Sequence, residues 1–167
     1  AGRPGEGAAE AMAGIPKAVP LRKVTDAMHP THAAIGYGKG ALVLEQLERM
    51  LGTRRMLDVL KTFVVQHKRG EDADWRNFET AVAVVCGHEW RNSLKSWLDE
   101  PGAPSFALTE VAARRKHAGY EVSGCLTSQP AGFWALIPVR LDTDAGPTIA
   151  EALCKGTRTL VTIPATS

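Results

Sequence analysis

The chain has 167 residues, 44% of them hydrophobic and 23% charged, with 20 basic against 18 acidic side chains and a formal charge of +2. That is enough for one domain or two small ones with a modest core, and the charge balance makes no electrostatic case for nucleic acid, which needs clustered basic residues. No apolar run approaches the roughly 18 residues needed to span a bilayer as a helix, and no signal-peptide pattern opens the chain.

Residues 1–34 are rich in Gly, Ala and Pro, with turn signals at Ile15-Pro16 and His29-Pro30. They read as a loop-rich lead-in with one short helix near Ala8 to Ala13. The chain opens without Met and closes just after the strand-like "TLVTIPATS", so it is expected to be a piece of something longer.

From Tyr37 the periodicity is helical. Leu44, Leu47 and Leu51 fall at i, i+3 and i+7, and Gly52 sits where a left-handed cap would end the helix. Thr53 is placed to cap a second helix with the apolar face Met56, Leu57, Leu60, Phe63 and Val64, closing near Gly70. Asp72 or Asp74 starts a third, with Trp75, Phe78, Val82 and Val85 on one face and Gly87 as its stop. The fourth, "HEWRNSLKSWLDE", carries Trp90, Leu94, Trp97 and Leu98, and Pro101-Gly102 ends the helical pattern. Four amphipathic helices with short connections predict a packed helical subdomain over residues 35–103.

After Pro104 the period becomes two. "SFALTEVAA", "YEVSGCLT", "FWALIPVRLD" and "TRTLVTIPA" are strand-length runs separated by Gly or Pro turns. Pro138 within the third suits an edge position or a bulge. The fold class predicted is therefore α+β, a helical subdomain followed by a small antiparallel β-sheet or half sandwich over residues 104–167. This β domain is expected to be incomplete.

Few residues carry obvious chemistry. "HEWRN" begins like the zinc motif H-E-x-x-H, but Asn92 stands where the second His would be. His29 and His32 of "HPTH" have Pro30 between them and no evident third ligand, which favours a plain loop. Cys86, Cys125 and Cys154 are widely spaced without C-x-x-C. They read as buried free thiols, although Cys125 and Cys154 could pair in a secreted protein. "ARRKHA", with Arg114, Arg115, Lys116 and His117, reads as a solvated strand end. No P-loop, dinucleotide fingerprint or G-x-S-x-G occurs. One stretch stands out: Tyr37 is set among Gly36, Gly38 and Gly40, directly before an apolar helix. It is either an aromatic anchor or a hydroxyl presented to a cleft.

The segment "YGKGALVLEQLERMLG" resembles the Tyr-x-Lys-Gly-Ala segment of the membrane alanyl aminopeptidase family of zinc peptidases, the gluzincin aminopeptidases. The likeness continues in order to "SWLDEPGAPSFAL", which is similar to that family's Trp-x-x-x-x-Gly-x-Pro junction between the helical half of the catalytic domain and a β domain. It spans roughly Ala34 to Leu108.

The resemblance implies that the parent protein is a zinc metallo-aminopeptidase that removes N-terminal residues from peptide substrates. Its zinc ligands, two His of H-E-x-x-H and a downstream Glu, would lie upstream of Ala1. This chain itself is then expected to bind no catalytic zinc and to be inactive alone. The resemblance makes Tyr37 the donor to the tetrahedral oxyanion. A phenol, with a reference pKa of about 10, keeps its proton at neutral pH. It can serve if held about 2.7–3.1 Å from the developing charge, and flanking glycines are expected to let the backbone turn tightly enough to bring it there. The alternative is a non-catalytic relative or interaction module that keeps the peptidase scaffold.

Overall fold

The computed structural model describes residues 19–24, 30–67, 71–117, 119–144 and 146–165. The helix expected near Ala8 to Ala13, and His29, lie outside the described residues. The chain divides into two compact units, residues 1–103 and 104–167. Four amphipathic helices followed by small antiparallel sheets make up the α+β order that the periodicity predicts.

In the first unit a 3-10 turn, Leu21–Lys23, precedes a helical run made of α1 (Pro30–Ala33), a π-helical turn (Ala34–Lys39) and α2 (Gly40–Leu51). Three helices follow: α3 (Thr53–Gln66), α4 (Trp75–Cys86) and α5 (His88–Asp99). Helicity thus begins at Pro30, inside the stretch expected to be loop. Gly52 and Gly87 link α2 to α3 and α4 to α5 at φ +81° and +101°, conformations that side chains disfavour. Asp74, not Asp72, caps α4. Its carboxylate accepts from the Arg76 and Asn77 amides at 2.8 and 3.0 Å, and the Asn77 side chain accepts from the Asp74 amide at 2.9 Å.

Two boundaries differ from expectation. Thr53 is the first residue of α3 and not its cap; its hydroxyl donates to Glu48 Oε1 at 3.0 Å. The same helix ends at Gln66 rather than near Gly70, because His67 turns to extended backbone.

The core of this unit collects Leu42, Val43 and Leu47 from α2, Met56 and Val59 from α3, Phe78, Ala81 and Val82 from α4, and Leu94, Trp97 and Leu98 from α5. Phe78 meets Phe63 and Trp75 edge-on, with ring centroids 5.7 and 5.9 Å apart. The α3 face is a correction. Leu57, Leu60 and Val64 are exposed, Val64 to 66%, and the inward stripe is Met56, Val59 and Phe63. Both stripes have spacings of 3 and 4, and they are one residue apart around the helix. Apolar periodicity alone could not choose between them. Leu44 is likewise exposed, and with Leu57 and Leu60 it lines an open groove between α2 and α3.

In the second unit β1 (Ser105–Lys116), β2 (Gly119–Gln129) and β5 (Arg158–Ala165) form one antiparallel sheet in the order β1-β2-β5; β3 (Trp134–Thr143) and β4 (Gly146–Lys155) form another. The described residues hold five strands here and not four. The unforeseen one, "GPTIAEALCK", holds Ala and Glu, which are depleted in strands. It is specified by its partner, pairing with β3 from Trp134↔Lys155 to Thr143↔Gly146.

Leu126, Ala152, Cys154 and Val161 form the shared core of the two sheets, flanked by Phe106, Leu108, Ile137 and Val139. Pro138 lies in β3, paired with β4 alone in the described two-stranded sheet, which is the edge position that a proline favours. β1 changes register between Thr109 and Ala112, with Glu110 at φ +55°. On the partner strand a Cβ at Gly124 would come within 2.8 Å of Leu108 Cδ1, so a larger residue there would require the Leu108 side chain to shift. Arg114 to His117 are exposed at the end of β1, and Lys116 pairs with Glu121 at 3.2 Å. All three cysteines are free; Cys125 and Cys154 are buried and Cys86 is half-buried. Among the described residues no helix is long and apolar enough to cross a membrane.

Candidate functional site

Tyr37 sits on the π-helical turn Ala34–Lys39, and the turn is the first surprise. The glycines around Tyr37 do not form a tight turn. Gly40 has right-handed helical backbone (φ −59°, ψ −47°), and neither Gly36, Gly38 nor Gly40 has positive φ. Instead the helix widens: the Gly40 amide donates to the Ile35 carbonyl five residues back, the bond that admits one extra residue into a helical turn. Gly36 has a packing reason, since a Cβ there would lie 3.3 Å from Val24 Cγ1.

Across this turn the residues separate sharply by face. Ile35 and Lys39, four apart, are completely enclosed, whereas Tyr37 between them is 73% exposed. The phenol is therefore presented to solvent and not packed at the helix entrance.

Lys39 occupies the enclosed side of the turn. Its Nζ donates to the backbone carbonyl of Glu100 at 2.5 Å. Glu100 is the C-cap of α5, where helical carbonyls lack intrahelical partners and carry partial negative charge. Burial pushes the Lys39 pKa down from 10.5 to about 8, against the opposing pull of the Glu100 and Asp99 carboxylates. The Tyr-x-Lys-Gly-Ala segment contains Lys39 but gives it no role, yet the sequence held a further signal. Ile35, Lys39, Val43 and Leu47 recur every four residues, and all four are buried.

A second cation braces the same helix end. Arg22 Nη1 and Nη2 donate to Glu79 Oε2 and Oε1, each at 3.0 Å, and Nη2 reaches Asp99 Oδ2 at 3.5 Å; Nε also bonds Asp99 Oδ1. The hydrogen bonds to Asp99 and Glu79 hold the guanidinium pKa above its ordinary value. An isolated bridge between Pro20 and Pro101 joins the same two segments. The short run before the Tyr37 helix is thus built into the core, with Leu21 buried. Nothing in the sequence marks Arg22 or Glu79, because the partners are 57 residues apart.

The remaining candidates do not converge. His88 and Asn92 are exposed on α5. Among the described residues no three His, Cys, Asp or Glu side chains group so as to hold a metal ion. The zinc that the resemblance implies therefore finds no ligand set among them. No protein-family model matches this chain. The resemblance rests on the ordered motifs between Ala34 and Leu108.

Lys39 has a measurable signature. Between pH 8 and 10.5 the unfolded chain holds a proton on this amine that the folded chain has lost, so its contribution to stability rises with pH across that window. Below pH 8 the cost of enclosing the ammonium is present in full. The raised thiols of Cys86 and Cys154 act in the opposite sense at alkaline pH. The quantity to follow is therefore the stability of wild type minus that of Lys39→Met. By urea titration this difference is expected to grow by roughly 2–3 kcal/mol from pH 7 to 10. A flat difference would show that Lys39 titrates as an ordinary exposed amine.

Proposed function

We propose that this chain is the C-terminal half of the catalytic domain of a zinc aminopeptidase with part of the following β domain, and that Tyr37 is its transition-state hydrogen-bond donor. The observation that carries the reading is the exposed phenol on a widened helical turn whose opposite side is anchored by an enclosed lysine. The motifs in their order, Tyr-x-Lys-Gly-Ala and then Trp97, Gly102 and Pro104, support the assignment to that family.

Hydrolysis of a peptide bond builds negative charge on the carbonyl oxygen. A donor already aimed at that position stabilises the transition state without reorganisation. Tyr37 has what the role asks of this chain: an O–H, access to the outside, and a helical support rather than a loose loop. The metal chemistry of such an enzyme would come from residues outside this chain.

The test is Tyr37→Phe in the full-length protein, which deletes the hydroxyl and keeps the ring. On an aminoacyl anilide, kcat is expected to fall by about 10²–10³ with KM little changed. Turnover within threefold of wild type would remove the donor role. It would favour the competing reading, a non-catalytic scaffold that binds, for which the open apolar groove of Leu44, Leu57 and Leu60 is the supporting observation.

A further inference from the structure

Lys39 plays no part in the chemistry proposed for Tyr37, yet the fold encloses it completely. Lysine is almost never fully buried unless paired, because an ammonium loses its hydration there. A methionine or leucine would fill the same space without that cost. What the lysine adds is a directed donor long enough to cross from the π-helical turn to the end of α5.

The geometry couples that donor to Tyr37. Successive residues of a helix advance by about 100°, so residues two apart project to nearly opposite sides. Any force that draws Lys39 inward turns Tyr37 outward. A π-helical turn carries one residue more than the α-helical turn it replaces, so it can be lost or moved along the chain by one position. Such a slip would rotate the Tyr37 side chain off its present face. The lysine is tied to one carbonyl, that of the Glu100–Pro101 peptide, and Pro101 is itself bridged to Pro20.

We infer that Lys39 is the positioning residue for Tyr37: its bond to the Glu100 carbonyl locks the π-helical turn in register and so fixes the direction of the phenol. The functional meaning of this lock rests on the reading of Tyr37 as an oxyanion donor; the lock itself does not. The charged groups around the bond belong to two elements. Asp99 and Glu100 come from the end of α5, and Arg22 from the 3-10 turn holds Asp99. Arg22 thereby steadies the helix end to which Lys39 is tied.

The experiment uses this chain with ε-13C-labelled tyrosine. Tyr37 and Tyr120 are its two tyrosines, so Tyr120→Phe assigns the signals. In Lys39→Met, the Tyr37 ring signals are expected to move towards those of a freely rotating side chain while Tyr120 stays unchanged. Backbone order parameters over residues 36–40 are expected to drop from about 0.85 towards 0.6. A folded Lys39→Met protein with the wild-type Tyr37 signals and order would overturn the inference. Should that variant not fold, wild type decides: order over residues 36–40 equal to that of α2 upholds the lock, and values below about 0.6 overturn it.

In the full-length enzyme the two claims separate. If Lys39→Met lowers kcat and adding it to Tyr37→Phe lowers kcat no further, the lysine acts through the phenol. If Tyr37→Phe leaves turnover unchanged while the labelled signals still respond to Lys39→Met, the oxyanion reading fails and the lock stands.

Discussion

Arg22→Ala is expected to destabilise the helical unit by about 3–5 kcal/mol, the loss typical when one partner of a buried ion pair is removed. Glu79 is only 2% exposed and takes a two-pronged contact from the guanidinium. Without Arg22 its carboxylate would be left enclosed with no cation against it. Asp99 is about half exposed and can turn to water, so it contributes little to the loss.

The size of the effect reflects a stranded charge more than the worth of the pair. A double variant that replaces both partners by apolar residues, Arg22→Met with Glu79→Leu, is therefore expected to recover most of the stability. Urea unfolding followed by circular dichroism at 222 nm reads the helical unit selectively. A loss below about 1 kcal/mol for Arg22→Ala would mean that the contact is not maintained in solution.

Trp97→Ala is expected to cost about 3–5 kcal/mol by the same measurement. The indole is 4% exposed and lies on the inward face of α5 with Leu94 and Leu98. Removing it deletes a large buried apolar surface and leaves a cavity that the surrounding helices cannot fully close. Following the helical signal matters here, because a chain of two compact units need not unfold in one step. A change under about 1 kcal/mol would place Trp97 on the wrong face.

Much of the helical unit was legible in the sequence because its signals are local. Gly52 and Gly87 mark the places where the chain needs positive φ, and Asp74 with Asn77 forms a cap within four residues. The phase of α3 was not legible. Met56, Val59 and Phe63 compete with Leu57, Leu60 and Val64 at the same spacing, and only the packing of neighbouring helices selects the first set. β4 was missed for a related reason. Its Ala and Glu residues have little preference for a strand, and the ladder to β3 supplies what composition does not.

The candidate site divides in the same way. Tyr37 was found through a short motif, since its glycines and lysine are adjacent in the chain. The sequence suggested a tight glycine turn; the structure has a helix widened by one residue, from which Lys39 reaches the Glu100 carbonyl. Glu100 lies 61 residues away, and Arg22 meets Asp99 across 77.

The sequence by itself therefore determined the four amphipathic helices, four of the five described strands and their order, because caps, periodicity and turn residues act over a few positions; it drew attention to Tyr37 through a short motif. The tertiary structure alone decided which stripe of α3 is buried, that β4 exists, and which way Tyr37 points. Those outcomes depend on the burial of apolar surface and on charges paired across distant segments, and neither is encoded in any one window of the chain.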